Sequence, residues 1–443
     1  MRQRRETDSL GEYPVPADAL YGIHTARALK NFPRAGGKCL ADYPALVEAL
    51  IAVKLACARC NLALGELPEQ PGSALVEAAA AALAAPPYEA FPLAMLHGGG
   101  GTSANMNSNE VLANLAEELL GGARGQYQRV HPNDHANRNQ STNDVYPTAC
   151  HLALLSVIGS FRQSASSLES ALTGAIERLG SEPRLARTCL RDAVPVTLGD
   201  LFSGYRAGLA RCRSRVEAAT AELRAINLGG TLCGRAQDVP KPYFDRVIDE
   251  LREVTGRAEL CRSDNLFDAA QNLDDMVSVT ASLDLYGRTL IKIAMDLRLL
   301  SSGPEGGFGE IELPAVQAGS SAMPGKINPV IPEYAVQQAM QACGYHSACV
   351  QALSHGELDL NIWESLVVSN AIGMVNALIG ASTALAEAVF PGLEVRRQNI
   401  ARHLRGSLEA VTQQARIEGY GVAAGHSKRR SPDDSRGQPP RRG

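Results

Sequence analysis

The chain has 443 residues, of which 45% are hydrophobic, enough for a large buried core or two to three smaller ones. A net charge of −4 over 43 basic and 47 acidic residues argues against nucleic acid or a membrane surface as the main partner and favours a small molecule. Aromatic residues make up only 5%, and alanine runs are frequent, which favours closely packed helices over sheets. The composition therefore predicts an all-α, mainly helical protein.

The first 16 residues contain basic side chains without an apolar run behind them, and no later run of about 20 apolar residues stands out. Ten cysteines without a signal-peptide pattern indicate reduced thiols, so we expect a cytoplasmic protein. The CxxC pair Cys57 and Cys60 lies in an apolar helical pattern, and His131 and His135 lack ligand-like partners. We therefore expect neither a metal nor a cofactor.

Residues 1–143 alternate short helical patterns with Gly/Pro-rich turns, which predicts an irregular, mainly helical N-terminal domain. From Pro147 onward, apolar residues recur every three or four positions to Leu179, the pattern of a helix of about 30 residues. Similar patterns predict four further long helices, at 198–226, 270–300, 333–353 and 363–389.

Five such helices predict a central bundle domain over 144–392. A helix of 30 residues is about 45 Å long. Five such helices have more apolar surface than a single chain of this size usually buries, so we expect a homo-oligomer. Residues 393–425 are expected to form the remnant of a C-terminal domain. The polar, Pro-rich residues 426–443 predict a disordered basic tail; RNA contact is the less favoured alternative, since no aromatic residue or RNA-binding motif lies nearby.

Polar, Gly-rich clusters interrupt the helical pattern where a site would lie. In the first, glycines 98–101 allow close backbone approach and Thr102 offers a hydroxyl. In the second, Ser141, Thr142 and Asn143 lead into the helix at Pro147, with Asn or Asp as the expected N-cap. Both helix capping and a cradle for a carboxylate at the helix N-terminus fit this second cluster.

Two further clusters follow. In the third, Thr188 and Cys189 precede the helix from Leu198; Thr188 could cap that helix and Cys189 could be buried. The fourth, GSSAMPGKINP, spans 319–329, and its small residues and glycines indicate mobility. Lys326 supplies a charge and Asn328 an amide just before the next helix.

GSSAMPGKINP closely resembles the GSSxMPxKxNP signature of the fumarase/aspartase superfamily. The blocks GTSANMNSNEVLANLA, HPNDHANRNQSTNDVYPTA and RTCLRDAVPVTLGDLFSGY also match in order. The opening VPADALYGIHTARALKNF is similar as well, and its YGIHT is closer to aspartases. The resemblance, over roughly residues 8–390, implies a three-domain architecture with a central long-helix bundle, its third domain truncated here. It also implies a homotetramer whose active sites combine loops from three chains.

The resemblance implies reversible anti-elimination of ammonia from L-aspartate to give fumarate. Proton removal next to a carboxylate leaves an aci-carboxylate dianion, which converging hydrogen-bond donors must stabilise. Ser320 corresponds to the general base, active as an alkoxide. By the same resemblance the substrate-binding residues are Thr102, Ser141, Thr142 and Ser321 around the aci-carboxylate, Lys326, Asn328 and Thr188 around the other carboxylate, Asn143 near the leaving amine, and Cys189.

Fumarases carry a histidine at the position of Cys189, paired with a glutamate that corresponds to Glu333, so Glu333 lacks that partner here. Cysteine does not replace imidazole in orienting a water near neutral pH, which favours an aspartase over a fumarase. A nucleophilic Cys189 beside Arg187 and Arg191 is less favoured, because the elimination needs no covalent intermediate.

A second departure lies at 230–238, where Arg235, Ala236 and Asp238 differ from the family's usual GTxxGTGLN. This stretch borders the site in the family, so the exact substrate stays open. The alternatives are a fumarate hydratase, a lyase of an N-substituted aspartate, and an inactive helical scaffold.

Overall fold

The structure, a computed structural model, describes residues 2–405 and 407–428. It confirms a mainly helical chain. The helices are α1 (Ile23–Asn31), α2 (Pro44–Ala63), α3 (Glu69–Ala84), α4 (Thr102–Leu119), α5 (Thr142–Leu179), α6 (Leu198–Glu222), α7 (Lys241–Thr255), α8 (Leu266–Gln271), α9 (Asp274–Leu300), α10 (Val330–Leu353), α11 (Glu364–Ala388), α12 (Arg397–Leu404), α13 (Glu409–Glu418) and α14 (Tyr420–Lys428).

The described residues also contain four two-stranded sheets, which the sequence patterns did not predict. The antiparallel pairs are β1 (Gln3–Asp8) with β2 (Gly11–Pro16), β3 (Pro183–Thr188) with β4 (Arg191–Thr197), and β7 (Ile311–Glu312) with β8 (Glu394–Val395), and the parallel pair is β5 (Ala225–Ile226) with β6 (Cys261–Arg262). Strands of two to seven residues are too short for alternating hydrophobicity to give a clear signal.

All five predicted long helices are confirmed as α5, α6, α9, α10 and α11, with ends displaced by up to five residues. The apolar stripe predicted on α9 is buried at every position, from Leu283 to Leu300. On α5, Phe161 packs edge to face on Tyr286 of α9, with ring centroids 4.9 Å apart. Burial of these stripes explains why the helical period was readable in the sequence.

The start of α5 differs most from the prediction, because Ser141 rather than an Asn or Asp is the N-cap. Ser141 Oγ accepts a hydrogen bond from the Asn143 N–H (3.2 Å), while Asp144 Oδ1 accepts from the Ser141 N–H (3.0 Å). This reciprocal pair is a capping box. Pro147 therefore lies inside the helix. Because proline has no N–H, it cannot bond the Asn143 carbonyl one turn earlier, and that carbonyl accepts a hydrogen bond from Asn227 Nδ2 instead, at 2.9 Å.

The chain forms two compact units. The first comprises the chain to Ala165 with Arg211–Arg288 and Gln337–Gly380. Within it α2 is buried on nearly all sides and packs on α3 and α7. The second comprises Ser166–Ala210, Thr289–Val336 and the chain from Ala381, and within it α12 contacts β3 and α13 contacts β4.

The three-domain division, with boundaries after residues 143 and 392, stays a prediction, as does the truncation of the third domain. Of the predicted disordered tail, residues 426–428 form the end of α14 instead, and residues 429–443 lie outside the described residues. One helix, α11, is long and apolar enough to cross a membrane by length and composition, but 61% of its apolar window is buried within the protein. The buried core helix of a soluble protein also meets these criteria of length and composition.

Candidate active site

Two helix N-termini meet in the first unit. Asn105, in the first turn of α4, donates from Nδ2 to Thr142 Oγ1 at the start of α5 (3.2 Å). Gly101 precedes α4 at φ +83°, and a Cβ there would collide with the ring of Tyr146 on α5, so this close approach requires glycine. Exposed Thr102 lies one turn before Asn105 on the same helix face. Paired N-termini with free N–H groups favour a bound anion.

The residues of the second cluster lie together at this junction, and capping and anion binding are compatible there. Ser141 uses its oxygen as the cap acceptor and keeps its hydroxyl proton to donate. Thr142 Oγ1 likewise accepts from Asn105, which leaves its own proton available. Asn143 Nδ2 donates to the Leu232 carbonyl at 2.6 Å, so a ligand would have to displace that bond.

Asp144 is a structural member of this junction that the sequence analysis did not single out. Its buried carboxylate accepts from the Ser141 N–H and, through Oδ2, from the Gly229 and Thr231 N–H groups, each at 3.0 Å. Burial raises the pKa of Asp144 to about 6, against the effect of these three donors. The carboxylate ties the 229–231 turn to the start of α5.

In the second unit, Ser320 carries a hydroxyl in an environment that favours negative charge. Its Oγ accepts from the Met323 N–H (2.9 Å) and from the Ala322 N–H (3.3 Å). Hydrogen bonds donated to an oxygen stabilise its anionic form relative to the neutral one. Ser320 is half-buried, whereas the neighbouring Ser321 is exposed.

The ends of the loop 319–328 are held against each other. Lys326 Nζ donates to Asn328 Oδ1, and Asn328 Nδ2 donates to the Gly319 carbonyl, both at 2.6 Å. A Cβ at Gly319 would collide with the Lys326 carbonyl oxygen, so only glycine fits this contact. The exposed ammonium of Lys326 and the amide of Asn328 are thus gathered in one loop with Ser320.

Thr188 and Cys189 lie at the tip of the β3–β4 hairpin, which corrects two expectations. Thr188 does not cap α6, because Thr197 does so by exchanging hydrogen bonds with Asp200 at 2.8 and 3.0 Å. Cys189 is exposed rather than buried, at φ +52°, and Leu190 follows at φ +58°. Two successive left-handed residues are the geometry of a type I′ hairpin turn.

A buried carboxylate anchors this hairpin beside Thr188. Glu310 is fully buried, and its Oε1 lies 2.7 Å from Arg187 Nη1 and 2.9 Å from His403 Nδ1. Arg184 adds a longer ion pair at 3.6 Å. Glu333, which was expected to lack its family partner, lies 3.4 Å from Arg298, so its charge is met by an arginine.

The described residues offer no group of three or more His, Cys, Asp or Glu side chains that could hold a metal ion. His131 Nδ1 accepts from the Asn133 and Asp134 N–H groups and so caps a short turn. Burial raises the pKa of Cys57 and of Cys60 to about 12, which makes both thiols unreactive.

The predicted site residues therefore lie in three places. Thr102, Ser141, Thr142 and Asn143 lie at the helix junction of the first unit; in the second unit, Thr188 and Cys189 lie at the hairpin tip, and Ser320, Ser321, Lys326 and Asn328 lie in the 319–328 loop. Beyond an Asp as a candidate N-cap, sequence reasoning assigned no role to the residues that support the group at the helix junction, namely Lys54, Asn105, Asn137, Gln140 and Asp144. One signal was available, a single lysine inside the apolar run of α2.

Comparison with known proteins gives consistent results. A family model described as lyase matches residues 11–344. The aspartate ammonia-lyase of Bacillus subtilis (strain 168) is 36% identical over 95% of this chain and 88% of its own length. The class II fumarate hydratase of Rhizobium meliloti (strain 1021) is 38% identical, over 95% and 90%. The fumarate lyase:delta crystallin of Brucella melitensis, solved bound to cobalt, has a TM-score of 0.93 at 42% identity and covers 97% and 93%.

Proposed function

This chain belongs to the lyase family and, within it, to the fumarase/aspartase superfamily, and from that premise we propose that it is an aspartate ammonia-lyase. The proposed reaction converts L-aspartate reversibly to fumarate and ammonia. The superfamily's curated members include both aspartate ammonia-lyases and class II fumarate hydratases at similar identity, so the leaving group must be argued from this chain's own residues.

In the proposed mechanism, Ser320 takes a proton from the carbon next to one substrate carboxylate. The two N–H donors on its Oγ support this role, since they offset the charge of an alkoxide. The electron pair left behind spreads into the carboxylate as an aci-carboxylate, and then forms the carbon–carbon double bond as the carbon–nitrogen bond breaks and ammonia leaves. The proton on Ser320 is afterwards lost to solvent.

Hydroxyl and amide donors would stabilise the developing dianion. The hydroxyl protons of Ser141 and Thr142 are free to donate at the paired N-termini of α4 and α5, which supports their proposed place at the aci-carboxylate. Thr102 and Ser321 complete that set. Lys326, Asn328 and Thr188 would hold the second carboxylate, which would replace Asn328 Oδ1 as the partner of the lysine ammonium.

Cys189 is the observation that favours ammonia over water as the leaving group. It stands exposed at the hairpin tip where fumarases carry a histidine, and Glu333 is paired with Arg298. A thiol is a poor substitute for imidazole in moving protons to and from water near neutral pH. Ammonia departs with less acid assistance than hydroxide, so an aspartase tolerates this substitution. Asn143 would lie near the leaving amine once the ligand displaces its bond to the Leu232 carbonyl.

We also propose a cytoplasmic homotetramer with sites shared between chains. All ten cysteines are free thiols, which is typical of a reducing compartment. The long helices α9 and α10 expose large apolar side chains such as Leu299 and Met340, which supports burial against other copies of the chain.

The deciding assay follows fumarate by its ultraviolet absorbance, with aspartate, malate and argininosuccinate supplied in parallel. Aspartate is expected to be the productive substrate. Turnover of malate alone would establish the fumarate hydratase instead, and turnover of argininosuccinate alone a lyase of N-substituted aspartates. A well-folded protein that acts on none of the three would point to the inactive scaffold.

The role of Ser320 is tested by Ser320→Ala. Removal of the base is expected to abolish measurable turnover of aspartate, since losing even one oxyanion donor typically costs about 3 kcal/mol of transition-state stabilisation. The circular dichroism spectrum and melting temperature should stay those of the wild type, because Ser320 bonds only within its loop. Ser73→Ala, on the exposed face of α3, is the matched control. A Ser320→Ala enzyme with near-normal turnover would refute the assignment.

A further inference from the structure

Lys54 is a buried cation with no part in the proposed chemistry. It lies in the middle of α2 at 2% exposure, with the apolar side chains of Val53 and Leu55 beside it in the sequence. Burial lowers its pKa to about 7. An ammonium is costly to bury unless hydrogen bonds compensate, so its partners indicate what it does for the protein.

Those partners are two side-chain amides of the segment that leads to the site. Lys54 Nζ donates to Gln140 Oε1 at 2.7 Å and to Asn137 Oδ1 at 3.0 Å. The same Asn137 oxygen accepts from the Nδ2 groups of Asn105 and Asn109 on α4, both at 3.1 Å. Three donors from two helices thus converge on one loop oxygen.

The network continues directly into the proposed substrate-binding residues. Gln140 immediately precedes Ser141, the N-cap of α5. Asn105 Nδ2 bonds Thr142 Oγ1 as well as Asn137 Oδ1, so the lysine-bound oxygen and the Thr142 hydroxyl share one donor group. A displacement of residues 137–140 would therefore displace the Ser141 and Thr142 hydroxyls.

We propose that Lys54 is a positioning residue, which fixes the segment 137–142 so that the Ser141 and Thr142 hydroxyls meet the charge that develops on the substrate carboxylate. This inference rests on the proposed elimination reaction. Lys54 donates its two hydrogen bonds to amide oxygens, and its charge also acts to lower the pKa of the buried Asp144. The two bonds therefore orient neutral loop groups, and the charge favours the Asp144 carboxylate that accepts from the Ser141 N–H.

The test replaces Lys54 by methionine, which keeps the length and apolar stem but removes the donors. Gln140 Oε1 then loses its lysine donor, and the loop is free to shift. The kcat for aspartate is expected to fall by about 100-fold, as for misplacement of a catalytic group by about 1 Å. KM should change by less than about threefold, because the affected donors act mainly in the transition state.

Amide hydrogen exchange measures the same loop without reference to activity. Residues 137–145 are expected to exchange roughly tenfold faster in Lys54→Met than in the wild type. Cys60→Ala is the matched control. It removes a buried side chain from the same helix nearly two turns further on, where the thiol is hydrogen-bonded to the Tyr243 carbonyl, and it should leave kcat and this exchange unchanged.

The outcomes separate the two proposals. Wild-type kcat and wild-type exchange in Lys54→Met would overturn the positioning role, as would equal losses in Cys60→Ala, which would assign the effect to core packing. A wild-type enzyme without turnover would reject the proposed function, while the exchange comparison would still decide whether Lys54 fixes the loop.

Discussion

His151 and Asp275 form a buried ion pair in the first unit, with His151 Nε2 3.0 Å from Asp275 Oδ2. Burial disfavours a charged imidazole, but the Asp275 carboxylate outweighs it and raises the pKa of His151. Burial acts to raise the pKa of Asp275, but the His151 imidazolium acts in the opposite direction, and the pKa is lowered overall. Both shifts favour the charged pair in the folded state.

The pair makes stability depend on pH in a defined direction. Because the pKa of His151 is raised, its contribution is present below the unfolded value of about 6.5 and is lost as pH rises through the folded pKa. The Asp275 contribution is present above its unfolded pKa and is lost as pH falls through its lowered folded pKa. The free energy of unfolding lost in His151→Gln should therefore be largest near pH 6 and shrink towards about pH 9.

Denaturant unfolding at several pH values checks this expectation. His355→Gln is the control, because it replaces an exposed imidazole that bonds the Gln351 carbonyl instead of a carboxylate. A His151→Gln effect that is constant from pH 6 to 9 would show that the pair is not charged in the folded state.

At the scale of elements, the buried Glu310 joins three parts of the second unit. It precedes β7, it pairs with Arg187 on β3, and it bonds His403 on α12. Arg187 also stacks over the Phe308 ring at 4.1 Å. A buried carboxylate, together with the packing of α12 on β3 and of α13 on β4, thus supports the hairpin that presents Thr188 and Cys189.

Glu310→Ala is expected to lower the free energy of unfolding by about 3 to 5 kcal/mol, because it removes the buried anion that faces the buried Arg184 and Arg187. Glu312→Ala, two residues further along the chain at the end of β7, removes an exposed pair with Arg396 and should cost at most about 1 kcal/mol. Chemical denaturation of both variants measures the difference. Equal effects would mean that the buried cluster stabilises no more than a surface ion pair.

At the scale of the whole molecule, the exposed apolar side chains of the long helices are the main unexplained surface. Met340 on α10 is 57% exposed, and Leu285, Met295 and Leu299 on α9 are 41 to 46% exposed. Large exposed apolar side chains on long helices favour an interface with another chain. Copies of the same chain would cover them in the proposed tetramer.

Light scattering coupled to size exclusion should give four times the chain mass of 47.0 kDa for the wild type. Met340→Glu is expected to shift the protein to dimers or monomers, because an interface core tolerates an unpaired carboxylate poorly. Leu10→Glu, in the exposed turn between β1 and β2, should leave the assembly intact. A monomeric wild type would contradict the proposal.

The sequence by itself determined the long helices and the family. Burial of a helix face every three or four residues is a local rule, so the stripe from Leu283 to Leu300 was readable without any partner in view. The loop 319–329 was likewise readable, since its chemistry resides in residue types within one short segment. Ser320, Lys326 and Asn328 lie there together.

The tertiary structure alone decided how the site residues are supported. Lys54 and Asn137 are 83 positions apart, and no local pattern pairs them. Helix α5 begins earlier than the sequence predicted, ahead of Pro147. This is possible because Asn227, from a distant segment, donates a hydrogen bond to the Asn143 carbonyl, which proline cannot bond. Hydrogen bonds between segments far apart in the chain depend on how the helices pack. Such packing leaves no periodic pattern in the sequence from which the bonded pairs could be predicted.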